Sequence, residues 1–265
     1  MTSQNNPRLK GTLMLSMGRS GTNWLKSIGD ATGRMGVTGE WLGFDKMSKP
    51  PRAYTAQSYY QQIMRQASTA NGRFAAKIFP RHLRRAQQTY NFDFIQKCVQ
   101  ENDVKLYLIT RDDRLGQAIS RLKAMQTKAW VGKEELSSRP VRYNFRKLCS
   151  FYFEAGRGYD FWRSYLAING YEYEAFTYEE LLPNPAPFFE SAAAHLGVAP
   201  PESYESSLKI QRDSVTEVWR QRFLDDIATQ GIHPDTYDLP QPDASLSNAL
   251  KVFAGRRIKP SKGNL

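Results

Sequence analysis

The first patterned stretch of the chain is Gly11 to Ser16, an unbroken run of apolar and β-tolerant residues that predicts a short buried strand. Met17 to Gly21 follows as a loop with glycines at 18 and 21, and Thr22 to Thr32 resumes with helical spacing. The same order returns further on. Lys105 to Thr110 (KLYLIT) is a compact apolar strand, RDDR is charged, and Leu115 to about Thr127 reads as a helix. Two such units predict an α/β chain with a parallel sheet, because parallel neighbours need a crossover between them. Further strands are expected at Phe74 to Phe79 and Tyr171 to Thr177. Helices are expected at Gln57 to Ala70, Phe92 to Glu101, Tyr143 to Asn169 and Pro187 to Leu196.

Between these elements, Phe44 to Ala53 and Trp130 to Val141 are rich in Lys, Pro, Ser and Gly and read as loops able to cover a substrate. Met1 to Lys10 is a polar lead-in, and Asp235 to Leu265 reads as an irregular tail with a basic end. A length of 265 residues suits one large domain spanning the chain, and 40% hydrophobic with 24% charged residues excludes a disordered or collagen-like chain. Cys98 and Cys149 lack metal-ligand or redox spacing and are expected as buried free thiols. No stretch has the apolar length of a signal core or a membrane span, so the expectation is a soluble cytoplasmic protein.

Charge narrows the partner. With 37 Lys plus Arg against 26 Asp plus Glu, the net charge of +11 favours anions: nucleotides, nucleic acids or membrane surfaces. The loop MGRSGTNW could meet one, since the first amides of a helix have no intrahelical acceptors and glycine lets an anion approach the backbone. Arg19 would add fixed charge, and Ser20, Thr22 and Asn23 would add side-chain donors. An ordinary βα turn has the same outline. The residues after Gly21 are Thr22 and Asn23, not the Lys and Ser/Thr of a Walker A loop, which argues against an ordinary magnesium-dependent ATPase or GTPase. In the second unit, Arg111 at the strand end and Ser120 on the following helix could grip one phosphate together.

These blocks resemble the bacterial carbohydrate sulfotransferases typified by the trehalose sulfotransferase family. The resemblance rests on SMGRSGTNWLKSIGDATG, GEWL, FAAKIF and ITRDDRLGQAISRLKAMQTKAW in that order, with YEELLPNP similar to a later YEDL-like segment. It implies a P-loop-related three-layer fold and 3′-phosphoadenosine 5′-phosphosulfate (PAPS) as sulfuryl donor, with no metal. By that resemblance Arg19, Ser20, Gly21, Thr22 and Asn23 fall on the loop for the 5′-phosphosulfate, and Arg111 and Ser120 on the 3′-phosphate pair. Glu40 in GEWL falls where the family carries a proposed carboxylate base. The catalytic expectation is therefore Glu40 with Arg19, acting on a hydroxyl of a carbohydrate or glycolipid by in-line displacement. Asp112 departs from the family, in which many relatives have a basic or neutral residue after the arginine.

Other residues stay outside this core set. His82, His195 and His233 read as surface or packing residues, and Trp41 and Trp130 either line a sugar or adenine surface or pack. Lys77 in AAKIF either faces the site or snorkels as a structural lysine. In Gln211 to Arg222, Arg212, Arg220 and Arg222 lie either near the cofactor or on a solvated helix face. Two further functions remain open: a nucleotide or small-molecule kinase on a related fold, disfavoured by the missing Walker lysine, and a basic nucleic-acid-binding protein. The second lacks any zinc, RRM or helix-turn-helix signature. Membrane-surface association and homodimerisation stay open as well.

Overall fold

The computed structural model describes residues 8–43, 45, 47, 51–130, 140–206, 208 and 214–236. Its centre is a parallel four-stranded sheet in the order β2-β1-β3-β4, from Arg73–Ile78 (β2), Lys10–Ser16 (β1), Asp103–Thr110 (β3) and Tyr173–Thr177 (β4). Strand β1 pairs on both sides, Leu13 facing Ala76 of β2 and Leu106 of β3. It is also covered on both faces, which is why its sequence is a continuous apolar run and not an alternating one.

Successive side chains of β1 enter different layers, as the period of a strand requires. Leu13 and Leu15 join Phe74, Leu106 and Leu108 in a cluster with α2 (Ala56–Ala67), α4 (Phe94–Glu101) and α6 (Phe145–Ile168). Met14 enters the opposite cluster with Tyr107 and Ile109, against α1 (Thr22–Ala31), the short α7 (Tyr178–Leu181) and α8 (Ala186–Leu196). A third cluster joins α5 (Arg114–Thr127) to α6 and α9 (Ser214–Gln230) through Ile119, Leu122, Leu148, Trp219 and Phe223. Helices thus flank the sheet on both faces, as expected.

One helix is not expected from the sequence, and another runs past the Gln211 to Arg222 segment read as a candidate solvated helix face. Pro80–Tyr90 forms α3, opened by a proline at its first turn, and Ser214–Gln230 forms the long α9. The helix expected from Phe92 begins at Phe94, because Asp93 caps it by accepting from the Ile95 and Gln96 amides. The helix expected to reach Ala70 stops at Ala67, because Ser68 turns extended and bridges to Phe74. Cys98 and Cys149 are free and buried, as read. Lys10, placed in the lead-in, already belongs to β1. Residues 1–7, half of the Phe44 to Ala53 loop, residues 131–139 and the tail from 237 lie outside the described residues.

The strand order fixes where a ligand can sit. The chain passes from β1 to β2 on one side, then returns to β3 on the other side of β1 and moves on to β4. Connections leaving the carboxyl ends of β1 and β3 therefore diverge, and in open α/β sheets that divergence is the binding crevice.

Candidate active site

The loop after β1 is held by its own hydroxyls. Ser16 Oγ donates to Ile109 O at 2.5 Å and lies 2.6 Å from Ser20 Oγ, which donates to Met17 O at 2.8 Å. Trp162, buried on α6, donates to Ser16 O at 2.9 Å and pins the strand end. Arg19 and Gly21 both take positive φ, 68° and 81°. At Gly21 only glycine fits, since a β-carbon would fall 2.2 Å from the Tyr178 ring. Gly21 is the N-cap of α1 and brings no side-chain cap, so the first amides of that helix are left for another acceptor.

The second unit braces the loop from one side. Gln117 on α5 donates to Gly18 O at 2.8 Å, and Arg111 at the end of β3 donates to Arg19 O at 3.1 Å. The C=O and N–H of a trans peptide point in opposite directions, so these two contacts turn the Arg19 and Ser20 amides away from that side. The Arg19 side chain crosses the gap instead, donating from Nε to Ser120 Oγ at 2.9 Å and from Nη1 to Trp130 O at 2.8 Å. Burial, and then the neighbouring Arg111, lower the Arg19 pKa below the usual arginine range.

Arg111 stacks over Tyr178 at 5.0 Å and is nearly buried. Its Nε is buried and makes no hydrogen bond; the Glu179 carboxylate stands 3.8 Å away and Asp113 lies 3.5 Å from Nη2. Glu179 is engaged elsewhere, by the amides of Asp112 and Asp113 at 2.9 and 3.2 Å. Asp113 caps α5 through Gly116 N and accepts from Arg220 of α9 at 3.0 and 2.8 Å. Asp112, the departure from the resembling family, is exposed.

A second cluster lies at the end of β2. Residues 36–42 pass its edge, where Lys77 N donates to Gly39 O at 2.9 Å, and carry Glu40 to the sheet's carboxyl end. Lys77 Nζ lies 3.1 Å from Glu40 Oε1 and donates to Asn23 Oδ1 at 2.5 Å. Glu40 Oε2 has Arg81 at 3.5 Å and His82 at 3.6 Å, both on α3. Burial, then Arg81, depress the His82 pKa to about 4 against the pull of Glu40. His82 is therefore neutral near pH 7. Its Nε2 lies 3.3 Å from Arg81 Nε, and its buried Nδ1 has no hydrogen-bond partner.

The family model described as Stf0 sulphotransferase matches residues 12–226, most of the chain. The chain belongs to that family. Among solved structures it is similar to the sulfotransferase domain from the curacin biosynthetic pathway, at 14% identity and a TM-score of 0.41, covering 96% of this chain and 100% of that one. It is also similar to the sulfotransferase domain from the Synechococcus PCC 7002 olefin synthase, at 15% identity and a TM-score of 0.42, with 96% and 98% covered. No curated protein matches the chain.

As a Stf0 sulfotransferase the chain has a transferase's task, and its expected site residues gather at one end of the sheet. Arg19, Ser20, Gly21, Thr22 and Asn23 line one loop, with Arg111 and Ser120 beside it and Glu40 reached through Lys77. Lys77 faces this site and is not a snorkelling lysine, since its amine is buried between Glu40 and Asn23. His82 is buried as a packing residue would be, yet it touches the Glu40 carboxylate. Trp130 is 47% exposed rather than packed, and it is the backbone oxygen that meets Arg19. Arg220 faces neither solvent alone nor the loop but Asp113, while Arg212 lies outside the described residues. Sequence reasoning missed Gln117, Glu179, Arg81 and Asp113. Only the Asp before α5 left a readable signal, a capping residue ahead of a helical run. Among the described residues no three His, Cys, Asp or Glu form a group able to hold a metal ion, and no helix is long and apolar enough to cross a membrane.

Proposed function

We propose that this protein transfers a sulfuryl group from PAPS to a hydroxyl of a carbohydrate or glycolipid, with Glu40 as the base. The observation that carries the reading is the Arg19–Arg111–Ser120 group at the diverging ends of β1 and β3. It combines the partly buried Arg19 and the nearly buried Arg111 with a buried Nε that lacks a hydrogen bond and the uncapped start of α1. Such donors fit an anion bearing two separate phosphate ends.

PAPS, when bound, supplies a sulfonate on a good leaving group. Ser20, Thr22, Asn23 and the first amides of α1 would hold the 5′ end, with Arg19 opposite the oxygens whose charge changes in transfer. Arg111 and Ser120 would hold the 3′-phosphate, which does not react. On the β2 side, Glu40 would take the acceptor hydroxyl proton while the acceptor oxygen bonds to sulfur and the bond from sulfur to the phosphate oxygen breaks, releasing adenosine 3′,5′-bisphosphate. Lys77 at 3.1 Å from Oε1 and Arg81 at 3.5 Å from Oε2 would hold the carboxylate in place for that role.

Adenosine 3′,5′-bisphosphate is expected to raise the melting temperature without magnesium, and Mg·ATP is not. The reverse response would replace this reading with a kinase. Mass spectrometry of products from a glycan and glycolipid panel incubated with PAPS tests the acceptor, and sulfation confined to non-carbohydrate hydroxyls would overturn that part.

A further inference from the structure

Lys77 is the most enclosed cation of the site. Its side chain is 3% exposed at the end of β2, and an ammonium is three donors with no acceptor. An ammonium so enclosed is tolerated only where acceptors meet it, and two do: Asn23 Oδ1 at 2.5 Å and Glu40 Oε1 at 3.1 Å. The remaining charged neighbours, Lys26 on α1 and Arg19 on the loop, repel it. Burial, the largest influence, lowers its pKa, and the Glu40 carboxylate pulls the other way.

Both contacts constrain their partners. A lysine can only donate, so the atom of Asn23 that meets it must be the carbonyl oxygen. That fixes the amide flip and leaves Nδ2, a double donor, as the free end in the first turn of α1, beside amides that have no intrahelical acceptor. At Glu40 the contact engages Oε1 within hydrogen-bond reach. Oε2 is left with Arg81 and His82 at 3.5 and 3.6 Å, beyond that reach.

We propose that Lys77 is a positioning residue that locks the two halves of the site in register, turning Asn23 Nδ2 to the donor's anion and Glu40 Oε2 to the acceptor hydroxyl. The Asn23 arm stands on the geometry alone, whereas the Glu40 arm rests on the reading of Glu40 as the base. One ammonium thereby ties the anion loop of β1 to the edge segment beyond β2, which have no common element.

Two double-mutant cycles test this, each on the full chain. In the first, calorimetry with adenosine 3′,5′-bisphosphate compares wild type, Lys77→Met, Asn23→Ala and the double variant. Each single change is expected to weaken binding roughly tenfold, and the double change no more than either. In the second, Lys77→Met is expected to lower kcat by about thirtyfold in the wild-type background and by less than about threefold in Glu40→Gln. A merely structural lysine would add its loss in both backgrounds. Additive losses in both cycles, or wild-type behaviour of Lys77→Met, would overturn the proposal. Should Lys77→Met fail to fold, Asn23→Asp decides the Asn23 arm: it keeps the oxygen for Lys77 but removes the Nδ2 donor. Unchanged affinity for adenosine 3′,5′-bisphosphate in that variant overturns the arm. The first cycle uses neither acceptor nor turnover, so a Glu40→Gln enzyme with normal turnover would sink the base and leave the Asn23 arm judged on its own.

Discussion

The two ends of the crevice use charge in opposite ways. Beside β3, the guanidiniums of Arg19 and Arg111 lie close together, and among the described residues the neutral Ser120 Oγ, Trp130 O and Arg19 O accept hydrogen bonds from them. Arg111 is also ion-paired with Asp113 at 3.5 Å and Glu179 at 3.8 Å, but those carboxylates are shared with Arg220 and with two backbone amides. Beyond β2, by contrast, the buried ammonium of Lys77 has a carboxylate at 3.1 Å. Neutral partners position a cation without cancelling its charge, so the β3 end remains attractive to an anion. A close carboxylate cancels the field and leaves a pair suited to moving a proton. Under the proposed function, donor binding and proton removal fall on opposite sides of β1, and substitutions at the two ends should fail in different ways.

The largest effect is expected at the β2 end. Glu40→Gln keeps shape and hydrogen bonding but cannot accept a proton, so turnover should fall roughly 10²- to 10⁴-fold while affinity for adenosine 3′,5′-bisphosphate holds. Steady-state rates beside calorimetry check this. Near-normal turnover on the true acceptor would place the base elsewhere. Arg19→Ala comes next, because under the proposed function its guanidinium would face the group whose charge is redistributed. A loss of about a hundredfold in turnover is expected. An intact kcat with only a raised KM for the donor would make Arg19 a binding residue and blur the contrast between the two ends.

Farther from the reacting bond, Arg111→Ala should weaken adenosine 3′,5′-bisphosphate by roughly 1.5 to 3 kcal/mol, and Ser120→Ala by about 1 kcal/mol. Chemistry on bound donor should change little in either. Ser120 also accepts from Arg19, so its truncation removes the acceptor of Arg19 Nε, and the double change with Arg19→Ala should be less than additive. Unchanged affinity in Arg111→Ala, read by calorimetry, would sink its assignment.

What could be read from the chain followed from burial on both faces and from local chemistry. Strands β1 and β3 announced themselves because both their faces are covered, and the glycine loop because a turn before a helix has few solutions. Helix α3 was silent, since in PRHLRRAQQTY only His82, Leu83 and Ala86 are buried and the other positions are polar. Helix α9 was legible only as a candidate solvated helix face in Gln211 to Arg222, and its packing hid for a related reason. Its buried residues, Thr216, Trp219 and Phe223, make sense only against α5 and α6, which lie far off in sequence. The site divides likewise. Arg19, Arg111 and Ser120 sit in two similar βα units, whereas the Lys77–Asn23 contact spans 54 residues and the Arg220–Asp113 contact 107. No local pattern encodes such pairs.

The smallest expected effect concerns that last contact, which supports the β3 end without touching the anion. Burial alone would raise the Asp113 pKa, but the hydrogen bonds from Arg220 and the Gly116 amide, with Arg220 and Arg111 as nearby charges, outweigh it and leave the pKa lowered. A carboxylate whose folded pKa is depressed adds stability that is present above its unfolded pKa of about 3.9 and is lost as pH falls through the folded value. Arg220→Ala removes the largest of the lowering contacts, so the folded value rises towards the unfolded one. Because Asp113 and Arg220 are partly exposed, the cost near pH 7 should be only about 1 kcal/mol. Below the folded pKa the carboxylate is protonated in both proteins, and the two stabilities should converge. Urea unfolding of wild type and variant at pH 7 and at about pH 3 measures this, with the pH 7 difference shrinking at the lower pH. A difference that stays constant would mean that Arg220 acts through packing of α9 on α5. The β3 end would then owe its geometry to the apolar cluster of Ile119, Trp219 and Phe223 and not to the ion pair.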